Sequence, residues 1–175
     1  MSAPGSCSLN VTAVGPPKVP PCGEMASALD LEAAGLHGEP VFREEILLVL
    51  PPGHATVRQG ADIAVRSLAA FAQGCSYRVL AEEWLGQDSA PFDIQEVGSY
   101  HSMLACVAAG GCVSLVPRSV LDLLREPPAL RTHVVAKVDT WLIHRNGYET
   151  AAFNALRETL TPFVSKQLAT KRRSS

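Results

Sequence analysis

The sequence predicts an α/β fold built on a largely parallel sheet, and three features indicate it. The unbroken apolar run that ends Glu45–Leu50 is typical of a strand buried on both faces. After it, stretches with strand character alternate with stretches of helical periodicity. Two of the loops that lead from a strand into a helix are rich in glycine and hydroxyl side chains, at 74–77 and 98–102. This alternation is the pattern of parallel β-α-β units with right-handed crossovers.

Six stretches are predicted to be strands because they are apolar or alternating and are bounded by turn residues. They are Val41–Leu50, Ser67–Phe71, Phe92–Val97, Cys112–Val116, Thr132–Ala136 and Thr140–Ile143.

Four helices are predicted between and after these strands. The first begins at Ser76, whose hydroxyl suits the N-cap position, and the second begins near Ser99. Gly110 ends the second helix in the left-handed conformation. A short helix covers Arg118–Arg125, and the longest covers Ala151–Leu168 with a kink at Pro162.

The two ends of the chain are predicted to lack regular structure. Glycine and proline occupy eight of the first 23 positions, so residues 1–23 are predicted to be a flexible tail. Residues 24–36 predict a weak amphipathic helix or turn that ends at Gly38-Glu39-Pro40. We therefore expect 1–39 to be a disordered or atypical segment and 169–175 to be a basic tail.

Charge and cysteine content exclude several classes of function. Residues 24–165 carry 10 basic and 17 acidic side chains, which makes this part a poor binder of nucleic-acid phosphates. The five cysteines form no CxxC pair, and no histidine cluster has zinc spacing, so neither a metal nor a cofactor is predicted. The chain has no apolar run long enough to span a bilayer and no signal-peptide pattern. The composition therefore predicts a cytoplasmic protein that does not engage membranes.

The two hydroxyl-rich loops are the candidate binding site. Each follows the carboxyl end of a predicted strand, where open parallel sheets bind ligands, and each begins a helix whose free N–H groups suit an anion. Ser76 and Ser99 could equally be only helix caps. A second alternative is a thiol enzyme or redox sensor at Cys75, with His101 on the next loop as its base. The sequence shows no established catalytic motif beside them, so we predict that the protein is not an enzyme.

The order of several motifs resembles the effector-binding domain of LysR-type transcriptional regulators. The first is Glu45–Leu50 followed by Pro51-Pro52-Gly53-His54, and the second is Gly74-Cys75-Ser76-Tyr77-Arg78. The most specific is the stretch from Val97-Gly98-Ser99-Tyr100-His101 through Ala108-Ala109-Gly110-Gly111 to Pro117. The resemblance covers residues 40–168, and it implies a two-lobed, periplasmic-binding-protein type 2-like fold with an effector between the lobes.

The resemblance also implies what this chain would lack. Residues 1–39 are too few for the family's N-terminal helix-turn-helix, so we expect DNA binding only through a missing domain. Lobe two would be complete and lobe one partial, and apolar surface uncovered in lobe one would favour a homo-oligomer. A free-standing solute-binding module is the alternative. The effector is predicted to be a small molecule, such as a small carboxylate. Its predicted contacts are Ser76, Tyr77, Arg78, Ser99, Tyr100, His101 and Ser102.

Overall fold

The computed structural model describes residues 10–13, 35–86 and 91–160. The chain divides into two compact units. Unit 2 is Glu44–Lys137, and unit 1 consists of Met1–Arg43 together with Val138–Ser175. Two long strands, β2 (Leu36–Leu50) and β6 (Arg131–Arg145), each contribute residues to both units.

Unit 2 alternates strands and helices. Between the two long strands its elements are β3 (Ser67–Ala70), α1 (Ser76–Gly86), β4 (Asp93–Glu96), α2 (Tyr100–Ala108), β5 (Ser114–Pro117) and α3 (Arg118–Asp122). Strands β3 and β4 are parallel, and a parallel bridge between Leu68 and Val113 joins β3 to the start of β5. Strand β5 pairs antiparallel with β2, with Leu115 opposite Leu48. The predicted β-α-β construction is confirmed.

The core of unit 2 lies between this sheet and α2. It contains Val49, Ala69, Met103, Leu104, Val107, Cys112 and Val116. Ser114 is the one polar side chain buried completely in the described residues, and its hydroxyl donates to the Ala69 carbonyl oxygen at 2.7 Å. That bond satisfies a group whose burial would otherwise be costly.

The loop after β2 is held by a buried histidine. Nδ1 of His54 lies 2.9 Å from the Ala55 carbonyl oxygen, which only accepts hydrogen bonds, so Nδ1 carries the proton. Nε2 is then free to accept from the backbone N–H of Ala64 at 3.0 Å. The His54 N–H also closes a turn onto the Pro51 oxygen at 3.0 Å. One side chain therefore ties the start of the loop to its end.

Unit 1 consists of parts of the long strands, a short strand and one helix. Strand β1 (Asn10–Ala13) runs parallel to β6, with Asn10 opposite Thr140, and the strand order is β1-β6-β2. Residues 151–160 form helix α4, whose first turn is capped by Thr150, since its hydroxyl accepts from the Phe153 N–H at 3.1 Å. Val41, Leu142 and Phe153 form the buried cluster of this unit.

Three predictions about the strands were wrong. Asn10–Ala13 is a strand, although its proline-rich surroundings predicted none. Gly38-Glu39-Pro40 does not end an element but lies within β2. In the described residues, this part of β2 has β6 on one side and no strand on the other, so it is an edge of the sheet. Proline is tolerated there because an edge strand does not need every N–H. Residues 131–145 form one strand rather than two.

Two helix boundaries also differ from the predictions. Helix α3 ends at Asp122 rather than Arg125. Ser76 is the first residue of α1 rather than its cap, because the carbonyl of Cys75 accepts the first helical bond, from the Val79 N–H at 3.1 Å. The predicted helix starts near Ser76, Ser99 and Ala151 are confirmed, as is the left-handed Gly110 with φ of 85°. The expected kink at Pro162 lies outside the described residues.

The prediction of uncovered apolar surface was wrong for most of the described residues that it concerned, although Leu156 in α4 is exposed. Ile46–Leu50, Leu142, Ile143 and Phe153 are all buried within the single chain. Among the residues whose burial is described, the exposed large apolar side chains are Leu123, Val134 and Leu156. No described helix is long and apolar enough to cross a membrane.

Candidate functional site

Helix α2 begins with the hydroxyl cluster that the sequence predicts. Ser99 is its N-cap, and the Ser99 hydroxyl accepts from the Ser102 N–H at 3.2 Å and lies 3.0 Å from the Ser102 hydroxyl. His101 and Ser102 are exposed, and Tyr100 is half-buried with its ring edge against Phe71. The turn therefore presents hydroxyl groups and one imidazole to solvent.

Helix α1 begins beside it on the same edge of the sheet. Strands β3 and β4 are parallel and in register, with Ala70 opposite Glu96, so the helices that follow both start at the carboxyl edge of unit 2. Ser76 and Tyr77 are buried there, with about 8% of each residue exposed. The predicted convergence of the two helix N-termini is present, although α1 contributes less accessible surface than α2.

Arg78 holds α1 to the ends of both strands. Its guanidinium donates to Glu82 at 2.8 Å, to Glu96 at 2.5 Å and to the Phe71 carbonyl at 3.3 Å. Glu82 first and Glu96 second raise the pKa of Arg78. Because two carboxylates already balance its charge, Arg78 positions the helix rather than offering a free cation.

Glu44 is the site residue that the sequence did not reveal. One of its carboxylate oxygens accepts from the Tyr77 hydroxyl at 3.3 Å, and the other accepts from the Ser119 hydroxyl at 2.9 Å. Since β2 is antiparallel to β5 with Ile46 opposite Pro117, Glu44 lies past the carboxyl end of β5. A carboxylate therefore shares this edge with the helix N-termini.

The neighbouring Glu45 has a different environment. It pairs with Arg118 at 2.6 Å and with Lys137 at 3.2 Å. Arg118 first, then Lys137, lowers the pKa of the Glu45 carboxyl. Glu44, by contrast, has only neutral hydroxyl partners among the described residues. Its negative charge is available to a donor group on a ligand.

Tyr100 remains a hydrogen-bond donor over the ordinary pH range. Burial, with smaller contributions from Cys75 and Glu44, raises its pKa to about 12. The site thus combines phenol and serine hydroxyls, backbone N–H groups and one carboxylate.

The arrangement required for thiol catalysis is not seen in the described part of the chain. Cys75 is a free, half-buried cysteine, and no hydrogen bond joins it to His101, which is exposed. Nor does this part of the chain contain a group of three or more potential metal ligands.

The crevice beside this edge, within unit 2, is small. A crevice lined by Ala70, Phe71, Tyr77, Arg78 and Met103 among others encloses about 10 Å³. That is room for a single water molecule. This crevice is therefore too small to hold an organic molecule.

Sequence comparisons show that the chain is similar to transcriptional regulators. Residues 26–164 match the family model described as the LysR substrate binding domain. The chain is 29% identical over 136 residues to the HTH-type transcriptional regulator GltR of Bacillus subtilis (strain 168), covering 75% of this chain and 45% of that protein. The chain thus spans about half the length of the curated relatives that it matches.

Solved structures agree on the fold. The reduced regulatory domain of OxyR2 from Vibrio vulnificus superposes with a TM-score of 0.59 at 19% identity, covering 74% of this chain and 66% of that one. The Synechocystis PCC6803 CcmR regulatory domain in complex with 2-PG gives a TM-score of 0.58 at 12% identity, covering 71% and 65%. These matches confirm the predicted fold class, a periplasmic-binding-protein type 2-like effector-binding domain. The chain covers about two thirds of each of the two matched domains. The chain belongs to the LysR substrate-binding domain family.

Proposed function

We propose that the chain senses a small carboxylate that also carries an amino or hydroxyl group, bound against the carboxyl edge of unit 2. The observation that supports this most is the convergence at one edge of the α2 cap, the start of α1 and the Glu44 carboxylate. Helix N–H groups and the Ser99, Tyr100 and Ser102 hydroxyls suit the ligand's carboxylate. Glu44 suits its amino or hydroxyl group.

The predicted contacts divide into two groups under this proposal. Ser99, Tyr100, His101 and Ser102 are the residues we expect to touch the effector. Ser76, Tyr77 and Arg78 are expected to act mainly by positioning α1 and Glu44, since they are buried or ion-paired. A free-standing solute-binding module and a thiol sensor at Cys75 have no observation in their favour.

The biological setting is also part of the proposal. We propose that the chain acts in the cytoplasm within a homo-oligomeric regulator, with residues 40–168 as the effector-binding part, flanked by an atypical segment at 1–39 and a basic tail at 169–175. DNA would be read by a separate N-terminal domain, because residues 24–165 carry 10 basic against 17 acidic side chains. Effector binding would then bias how the DNA-reading parts are held.

Substitution of Ser99 tests the binding site. Ser99→Gly preserves most of the capping stability, because glycine is an acceptable N-cap, but it removes the hydroxyl. We expect the affinity for the effector to fall about ten- to hundredfold, as for the loss of a hydrogen bond to a charged group. The measurement is isothermal titration of the 175-residue chain with panels of amino acids, hydroxy acids and simple carboxylates.

Ser67→Ala is the matched control, since Ser67 lies at the start of β3 and its hydroxyl donates to the Asp93 carbonyl oxygen at 3.3 Å. It should bind as the parent does. If Ser99→Gly and the parent bind the same compound equally well, Ser99 is only a cap and the proposed site is wrong.

A further inference from the structure

A second cavity lies at the opposite end of unit 2. It encloses about 150 Å³ and is lined by Leu50, Ala55, Thr56, Val57, Arg131, Thr132 and His133. We call it the pole cavity. Val49 is opposite Ser114, the first residue of β5, so the cavity lies at the amino end of β5. Leu50 is six residues beyond Glu44 on β2, which separates the two sites by about 20 Å.

The lining of the pole cavity is cationic and rich in donors. Arg131 brings a guanidinium, His133 an imidazole, and Thr56 and Thr132 each a hydroxyl, while none of the lining residues is acidic. This is unusual in a chain whose residues 24–165 carry an excess of acidic side chains. Leu50 and Val57 supply a buried apolar floor. A concave site with an apolar floor and a few convergent polar groups is the usual form of a small-ligand site.

The walls of the pole cavity are held in place by the rest of the fold. His54 fixes the loop that carries Ala55, Thr56 and Val57 through its bond with Ala64 at 3.0 Å. Arg131 is anchored by its Nε, which donates to the Pro52 carbonyl at 3.4 Å. The His133 ring packs against Trp84 with the ring centroids 5.7 Å apart. The cavity is therefore formed before any ligand arrives, which lowers the entropic cost of binding.

The polar groups of the pole cavity have unused hydrogen-bonding capacity. Within the described ranges Arg131 makes no ion pair, and the Thr56, Thr132 and His133 side chains make no hydrogen bond. A guanidinium presents its donors in a planar fork that matches two oxygens of a carboxylate or a phosphate. The hydroxyls can donate to the same oxygens.

We propose that the pole cavity binds a compact oxyanion, the carboxylate or phosphate group of a small metabolite. The cavity opens to solvent, and its volume of about 150 Å³ has room for a compact anion such as phosphate or acetate. This site is separate from the effector edge and does not depend on the function proposed for it. A regulator with both sites would respond to two small molecules.

Fluorescence of Trp84 tests the proposal, because its indole packs against the His133 ring that lines the cavity. The chain contains two tryptophans, so a Trp141→Phe background leaves Trp84 as the reporter. We expect saturable changes in emission on titration with sodium phosphate or sodium acetate at constant ionic strength. The anion that saturates at lower concentration identifies whether a phosphate or a carboxylate is preferred.

Arg131→Gln should weaken anion binding about tenfold or more. Arg125→Gln is the matched control, since Arg125 is also exposed in unit 2 but does not line the cavity, and it should bind as the parent does. If Arg131→Gln does not fold, Thr132→Val removes a lining hydroxyl and is expected to weaken binding in the same direction. Absence of a saturable response to both anions, or equal binding by Arg131→Gln and Arg125→Gln, would overturn the proposal.

Discussion

Leu48→Ala is expected to lower the free energy of unfolding of unit 2 by about 2–5 kcal/mol, the usual cost of truncating a fully buried leucine. Leu48 is completely inaccessible and lies opposite Leu115 at the pairing of β2 with β5. The lost free energy has two parts, the burial of the three side-chain carbons that are removed and the cavity that they leave behind. Urea denaturation followed by Trp84 emission in the Trp141→Phe background measures it.

Leu123→Ala is the control for this substitution. The residue is of the same type, but 85% of Leu123 is exposed, so the change should stay within about 0.5 kcal/mol. Equal stabilities for the two variants would show that β2 does not form the centre of unit 2.

Gly60→Ala is expected to destabilise unit 2 by about 1–3 kcal/mol or more through overpacking. Gly60 is buried, and an added Cβ would lie 2.7 Å from the Leu85 carbonyl oxygen and 3.1 Å from its Cα. Both atoms belong to the backbone of α1, so the clash cannot be relieved by turning a side chain. The helix or the loop must move.

Gly53→Ala provides the comparison for Gly60→Ala. A Cβ at Gly53 meets nothing within 4 Å, and its backbone does not have a positive φ. Its stability should equal or slightly exceed that of the parent, because alanine restricts the unfolded chain. Denaturation that leaves Gly60→Ala as stable as Gly53→Ala would contradict the described packing of the loop against α1.

Local patterns were sufficient to predict most of unit 2. The apolar run in β2 and the loops before α1 and α2 are each patterns of about ten consecutive residues. Such local patterns are sufficient to identify a strand or the start of a helix. Ser99 is the N-cap of α2, which the sequence had left open as one of two roles, whereas the N-cap predicted at Ser76 was wrong by one position. The family resemblance then supplied the arrangement of the elements.

The errors occurred where distant residues determine the structure. Residues 137–139 separate the two strands that the sequence predicts, but Lys137 pairs with Glu45 at 3.2 Å in unit 2, and Asp139 pairs with Arg43 at 3.7 Å in unit 1. Charged residues are thus accommodated within a continuous strand. The short strand Asn10–Ala13 pairs with Thr140–Ile143, about 130 positions away, so its own sequence could not reveal it.

The candidate site was predicted only in part for a similar reason. Ser99 and Ser102 are neighbours in the chain and were found together. Glu44 was missed because its partners, Tyr77 and Ser119, are 33 and 75 positions away. The ion pair of Arg78 with Glu96 could not be predicted for the same reason, because Glu96 lies 18 positions away on the next strand.

The proposed effector site lies against the carboxyl edge of unit 2. The most direct test is amide chemical-shift mapping of the nitrogen-15-labelled chain during titration with the compound that binds in calorimetry. We expect the largest shifts at Ser99–Met103 and at Cys75–Arg78, the two helix starts on that edge. Shifts confined to other parts of the chain, with both helix starts unchanged at saturation, would contradict it.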